Sequence, residues 1–263
     1  MLQVQAQRRG IDLRYELDRY PRSWFIEDDE KVPQSRPHHL CGHRIEGLLR
    51  GWQKRTRRNA QVGRELALRW DEKAPQVGVD PDVYVVEPPP PEGDRVLSLK
   101  TWQPGHHPPL LAVEVVSTTR PGKDYGSSPL KYAASGTREL WIFDPELAGP
   151  KAQEGPFRIQ VWRRGPQGSF TRVYAGEGPV YSPVIDAWVF AVDEGRSLAI
   201  ADDEAGTRWW MTVEERAQAD ADAAQAAAEA ERVAKEAAQA RAGWLEAKLR
   251  ELGVDPEAGN PSK

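Results

Sequence analysis

The chain has a single cysteine, Cys41, in 263 residues, so it can form no internal disulfide. No charged-then-apolar leader opens it, and a reducing, cytoplasmic setting is the expectation. No uninterrupted apolar run approaches the roughly 20 residues that a membrane-spanning helix requires, and mean hydropathy is -0.67. Membrane insertion is therefore not expected. A net basic charge is also lacking. Lysine and arginine together number 36 against 40 carboxylates, for a formal charge of -4, so no global field draws the chain to nucleic acid, although charge can still be arranged locally. A Gly-rich phosphate loop and a nucleophile elbow are both missing, which removes the commonest signatures of nucleotide binding and serine hydrolysis.

What is present reads as an α/β domain with a helical appendage. Residues 1–36 form a polar, irregular N-terminal segment without sustained period. From Pro37, "PHHLCGHRIEGLLRGWQKR" sets Leu40, Ile45, Leu48, Leu49 and Trp52 on one stripe, predicting an amphipathic helix that ends in a basic run. "VGRELALRW", "DVYVVE" and "LLAVEVVS" are rich in β-branched and aromatic residues and predict neighbouring strands. Between the last two, "PPPPEGDRVLSLKTWQPGHHPP" is expected to be a surface insertion, because its prolines break helices and central strands. Ser128 is expected to cap a short helix whose first position is Pro129 and whose end is Gly136. "ELWIFDP" then predicts a buried strand reached by a right-handed parallel crossover. "FRIQVWRRG", "SFTRVYAG" and "DAWVFAV" alternate as hairpins that extend or flank the sheet. The expected organisation is thus a segment 1–36, a domain over 37–208, a helix over 209–253, and a disordered tail over 254–263.

The C-terminal helix has its own pattern. From about Thr212 the chain is rich in Ala, Glu, Gln, Arg and Asp, with no proline or glycine until Gly243. Ala223, Ala226, Ala230, Val233, Ala237, Ala240, Trp244 and Ala247 recur in steps of three and four, as coiled-coil seam positions do. Alanine buries little area, so the expectation is a weak or close-approaching pair, possible as a homodimer, or a helix lying on its own domain.

Carboxylates in apolar surroundings carry the functional reading. Glu114 sits in the middle of "LLAVEVVS", and a glutamate in a buried strand costs several kcal/mol unless it is neutralised, hydrogen-bonded or bound to a cation. "VGVDPDVYVVE" places Asp80 and Asp82 at the start of a neighbouring strand. If the two strands pair, Asp82 and Glu114 meet at one edge of a cleft and suit a hard cation such as Mg²⁺, which takes oxygen ligands. Metal-assisted phosphodiester hydrolysis is the chemistry that follows. "DPD" is also a turn sequence, and a salt bridge is the bland alternative for Glu114.

The ordered run "DPDVYVV", "LLAVEVVS" and "RPGKDYGSSPLKYAASGTRELWIFDP" resembles the Uma-type restriction endonuclease family, a branch of the PD-(D/E)XK nuclease superfamily, over roughly residues 37–190. The resemblance implies a restriction-endonuclease-like, four-stranded mixed sheet flanked by helices, and a DNA substrate cleaved with Mg²⁺, for which Mn²⁺ would substitute. Asp82 and Glu114 are its implied metal ligands and catalytic residues. The superfamily lysine would stand two residues after Glu114, where this chain has Val116. The Uma-type position, four residues before Tyr132, holds Ser128. Lys131, three residues further on, is the preferred substitute as third catalytic residue, and Lys123 is the second candidate. With Pro129 as first helical residue, Lys131 would sit in the first turn, where the helix dipole lowers its pKa. The first helix of such a domain lines the cleft, so His39 and Glu46 become candidate substrate contacts beside Lys123. A catalytically silent protein that binds DNA or assembles through its C-terminal helix is the alternative.

Two further features bear on binding. His38, His39, Cys41 and His43 lie within "HHLCGH", but no second ligand pair with finger-like spacing follows, so a polar helix start is favoured over zinc. The run Lys54, Arg55, Arg57 and Arg58 is the best local candidate for phosphate contact, with a solvated surface as the simpler reading. His106 and His107, in the proline-rich insertion, are expected to be exposed.

Overall fold

A computed structural model describes residues 6–7, 10–11, 20–26, 36–151 and 155–253; the expected tail over 254–263 lies outside them. In chain order the elements are β1 (Ala6–Gln7), β2 (Gly10–Ile11), α1 (Arg36–Thr56), β3 (Gln61–Gly63), β4 (Ala67–Arg69), β5 (Gly78–Val79) and β6 (Val83–Val86). There follow β7 (Ser98–Lys100), β8 (Leu111–Val115), α2 (Pro121–Ser135), β9 (Glu139–Phe143), β10 (Ile159–Arg164) and β11 (Phe170–Gly176). The last are β12 (Val180–Ser182), β13 (Ala187–Val192), β14 (Ser197–Ala201) and α3 (Val213–Glu251). The expected mixed α/β class with a long C-terminal helix is what the structure has.

The main sheet runs β1-β2-β11-β10-β9-β8-β6-β3, eight strands, with the hairpin strands β10 and β11 extending it as expected. β8 and β9 are parallel and joined through α2, as predicted, while β6 pairs with β8 antiparallel in the register Val83↔Val113 and Tyr84↔Ala112. Strand alternation decides what each side chain meets. Leu111, Val113 and Val115 join Val83, Val85, Trp141 and Phe143 under α1, whose Ile45, Leu48, Leu49 and Trp52 are buried on them, together with Val189 and Ile200 of the sheet β12-β13-β14. Ala112 and Val116 face the other way, with Tyr84, Leu140 and Ile142, toward Tyr125, Tyr132 and Ala133 of α2. Glu114 shares the parity of Ala112 and Val116, which directs it into the layer between sheet and α2.

Five local expectations change. "VGRELALRW" is not one strand: Glu65 takes a left-handed conformation (φ 53) and donates its N–H to the Pro81 carbonyl, so β3 stays in the main sheet while β4 enters the separate sheet β5-β4-β7. No glycine marks that turn. The proline-rich segment is more than a surface insertion, since it supplies β7, parallel to β4, with Leu99 buried. His106 is buried too, its Nδ1 accepting the Lys100 N–H and its Nε2 lying 3.1 Å from Glu92; His107 is exposed as expected. Leu40, assigned to the buried stripe of α1, is 54% exposed. Finally, α2 begins at Pro121, and Pro129 lies inside it, so Ser128 is a buried helix residue and no cap. Gly136 does end the helix, at φ 87.

Residues 1–36, expected to be irregular, supply β1 and β2 at the sheet edge, a single helical turn over Arg22–Trp24 with Trp24 buried, and Arg36 at the start of α1; residues 1–5, 8–9, 12–19 and 27–35 lie outside the described residues. The chain divides into two units, Met1–Thr212 and Val213–Lys263. No residue of α3 is buried, and all but the half-buried Glu215 are exposed. Its surface is laced by ion pairs one turn apart, Arg232 with Glu229 (2.6 Å) and Glu236 (2.5 Å), and Lys248 with Glu251 (2.6 Å). Among the described residues, no helix is long and apolar enough to cross a membrane.

Candidate active site

The carboxyl end of β8 and the amino end of β6 meet where α2 begins, the kind of strand end at which open α/β sheets bind ligands. Asp82 lies one residue before β6, and the β6–β8 register carried one step further sets it opposite Glu114. Its carboxylate substitutes for the ladder that stops there: Oδ2 accepts the Val115 N–H at 2.7 Å. Oδ1 lies 2.9 Å from His38 Nε2, at the start of α1. Burial pulls the His38 pKa down, but the hydrogen bond and charge of Asp82 outweigh it and hold it above the ordinary value. A carboxylate tied from two sides in this way has one orientation.

Glu114 is 2% exposed. Its Oε1 accepts the Tyr132 hydroxyl proton at 2.7 Å, while Oε2 takes no hydrogen bond among the described residues. Burial pushes its pKa up to about 8; Lys123 opposes that rise, and Asp124 and Asp82 add to it. Burial and the Glu114 charge hold the Tyr132 phenol far above its usual range. Tyr132 therefore serves as a donor that fixes Glu114.

Asp124 is a third buried carboxylate, and the sequence reading passed over it. It lies in the first turn of α2, 4% exposed, with Oδ1 accepting the Ser128 hydroxyl at 3.2 Å. Burial raises its pKa to about 6, with Lys123 opposing and Asp82 adding to the rise. Ser128, at the position where the family resemblance implied a lysine, thus orients an acid instead.

Both candidate lysines are in electrostatic reach of Glu114, with different characters. Lys123 is exposed, and the charge of Glu114, assisted by Asp124, Asp82 and Asp80, raises its pKa, keeping it a cation. Lys131 is 5% exposed, and burial first, then Lys123, lowers its pKa to about 8. The lowering expected from the helix dipole has another cause, because with α2 starting at Pro121 Lys131 is well beyond the first turn.

The remaining candidates contact other groups. Glu46 is engaged on its own helix by Arg50 (2.8 Å) and His43 (3.7 Å), and His39 touches Arg64 at 3.5 Å. The first helix does line the site, but through His38. Cys41 is partly buried, and burial raises its thiol pKa to about 12. The basic run begins near the far end of α1, with Lys54 about 24 Å of helix away from His38. There Arg58 is held by Glu87 and the Val184 carbonyl, and Arg55 stacks 4.4 Å over the Trp210 ring. It faces a different part of the surface from Asp82.

The donor set suits a hard cation. Asp82 and Asp124 both raise the pKa of Glu114, and a divalent ion relieves that mutual repulsion with the oxygen ligands it prefers. Among the described residues, no three histidine, cysteine, aspartate or glutamate side chains gather closely enough to form a complete cage. An ion held by so few side chains would keep most of its water, as Mg²⁺ does.

Comparison with known proteins agrees with the nuclease resemblance. No curated protein matches the chain. Among solved structures, one described as a putative nuclease belonging to DUF820 from Anabaena variabilis ATCC 29413 is 18% identical, covering 59% of this chain and 75% of that one with a TM-score of 0.40. The family model described as Uma2, putative restriction endonuclease, matches residues 14–191, which is more than half of the chain and spans β6, β8 and α2. The chain belongs to the Uma2 family of putative restriction endonucleases.

Proposed function

We propose that the protein is a Mg²⁺-dependent endonuclease that hydrolyses DNA phosphodiester bonds, with Asp82 and Glu114 as the metal ligands. The observation that supports this most is Glu114, buried in an apolar strand with only one of its oxygens hydrogen-bonded and facing two other carboxylates and two lysines. A purely structural glutamate gains nothing from that arrangement. A bound Mg²⁺, or Mn²⁺ in its place, supplies charge for the phosphate and a more acidic water.

The protein's own groups divide the remaining work. Val115 N–H and His38 hold Asp82, and Tyr132 holds Glu114, so the ligand oxygens are preorganised. Lys123 stays charged and neutralises a non-bridging phosphate oxygen. Lys131, with a pKa of about 8, is partly neutral at physiological pH and takes the proton from the attacking water. Water oxygen bonds to phosphorus, the P–O bond to the leaving sugar oxygen breaks, and that oxygen is then protonated. Lys131 as base and Lys123 as electrostatic clamp replace the single lysine of the superfamily pattern at Val116.

The test is incubation of supercoiled plasmid and single-stranded DNA with the full chain in Mg²⁺, Mn²⁺ or EDTA, beside Asp82→Ala and Glu114→Ala. Nicking or linearisation that requires the metal and both carboxylates is expected. Wild type indistinguishable from the two variants, with all three folded, removes the nuclease reading.

A further inference from the structure

No side chain of α3 is buried, and from Arg216 onward all are exposed, including Val233 (52%), Trp244 (62%) and Leu245 (47%). A helix of 39 residues, about 58 Å long, is then left with only propensity and surface ion pairs to stabilise it. Two properties of its sequence specify what covers it. Charge is divided along its length. The first half carries Glu214, Glu215, Asp220, Asp222, Glu229 and Glu231 against Arg216 alone. The second carries Arg232, Lys235, Arg241, Lys248 and Arg250 against Glu236, Glu246 and Glu251. Two copies laid parallel set the acidic halves together, whereas two laid antiparallel set acidic against basic.

Side-chain size points the same way. In a parallel, in-register pair Trp244 meets Trp244 of the second copy, in a seam that alanines otherwise draw close. In an antiparallel pair, positions a and d of opposite chains share layers. Centring the pair on Lys235 brings Trp244 opposite Ala226, Val233 opposite Ala237, Ala230 opposite Ala240 and Ala223 opposite Ala247. The large indole faces a methyl group in that arrangement. At the flanks, Asp220 then faces Lys248 and Asp222 faces Arg250. The like-charged pair this creates, Glu236 with its own copy, is already neutralised by Arg232 one turn away at 2.5 Å.

We propose that α3 pairs with α3 of a second copy of this chain, antiparallel and centred on Lys235. The pairing is independent of the nuclease reading, and either can fail without the other.

The experiment uses the full chain carrying Ala223→Cys or Ala247→Cys, with different affinity tags, oxidised singly and as a mixture. Wild type, whose only thiol is Cys41, is the control. Light scattering is expected to give the mass of a dimer, and the mixture is expected to yield the 223–247 disulfide, with neither variant joining to itself. The double change Asp220→Lys, Asp222→Arg is expected to weaken dimerisation about tenfold or more, and adding Lys248→Asp and Arg250→Asp to restore it. A monomeric mass, a 223–223 disulfide, or indifference to the charge reversal with the helix intact by circular dichroism would each overturn the proposal.

Discussion

Two glutamates occupy the neighbouring parallel strands β8 and β9, three register steps apart and on opposite faces of the sheet, both buried in apolar strands, and their surroundings differ. Glu139, in β9, has its Oε1 filled by the Trp141 indole N–H at 2.7 Å and the Ser182 hydroxyl at 2.5 Å, and its Oε2 by Arg163 at 2.5 Å. Glu114, in β8, has one phenol on one oxygen, and burial drives its pKa to about 8. The first is a closed structural ion pair. The second is a carboxyl whose charged form the fold penalises and whose other oxygen it leaves open, which is how a site waiting for a cation is built. Burial alone therefore does not mark function; what separates the two residues is how many partners each has.

The contrast can be broken by substitution. The largest expected effect is Glu114→Gln, which keeps the Tyr132 contact and removes the charge. DNA cleavage in Mg²⁺ is expected to fall by about a thousandfold, measured as the nicking rate of supercoiled plasmid. Next is Lys131→Met, which removes the proposed base with little change of volume and is expected to lower the same rate about a hundredfold. Lys123→Met is expected to weaken DNA binding more than it slows the bound complex. If Lys123→Met alone abolishes turnover while Lys131→Met does not, the two roles are reversed.

Glu139→Ala should act on the fold instead. It leaves Arg163, the Trp141 N–H and the Ser182 hydroxyl without their acceptor, and a loss of about 2 to 3 kcal/mol is expected by urea unfolding, below the figure for a fully enclosed pair because Arg163 is 28% exposed. Cleavage per folded molecule should be unchanged.

A smaller effect sharpens the comparison through pH. The folded pKa of Glu114 lies above the unfolded value, so between 4.5 and about 8 the folded protein holds a proton that the unfolded chain releases. Its contribution to stability is complete below 4.5 and is lost as pH rises toward 8. In EDTA, Glu114→Gln should therefore be more stable than wild type at pH 8, by on the order of 1 to 3 kcal/mol, and equal to it near pH 4.

Glu114 and Asp82 were legible because each breaks a local pattern: a carboxylate in a run of leucine and valine, and an acid at the start of "DVYVVE". α1, β8, β9 and the parallel crossover were legible from periodicity. The start of α2 was not. Two prolines, Pro121 and Pro129, both suit a first helical position, and the stretch between them holds Gly122, Gly126, Ser127 and Ser128, poor helix formers. Tertiary contacts decide for Pro121. Tyr125 donates to Asp144 at 2.9 Å and accepts the Phe157 N–H at 2.9 Å, anchoring a turn whose local preference is weak. With the helix start misplaced, Asp124 fell in a loop and Lys131 in a first turn, so neither the third carboxylate nor the burial that lowers the Lys131 pKa was visible. His38 was hidden for another reason. The choice among His38, His39 and His43 depends on the direction in which α1 enters the sheet, which periodicity does not set.

The central claim, that Glu114 is left under-paired in order to hold a cation, is tested most directly by the thermal midpoint of unfolding with and without Mg²⁺. Wild type and Glu139→Gln should both rise on adding the metal, because a ligand that binds only the folded state stabilises it. Glu114→Gln should begin higher than wild type in EDTA at pH 8 and not respond. An equal metal-induced rise in wild type and Glu114→Gln would contradict the account, and so would a Glu114→Gln protein less stable than wild type in EDTA.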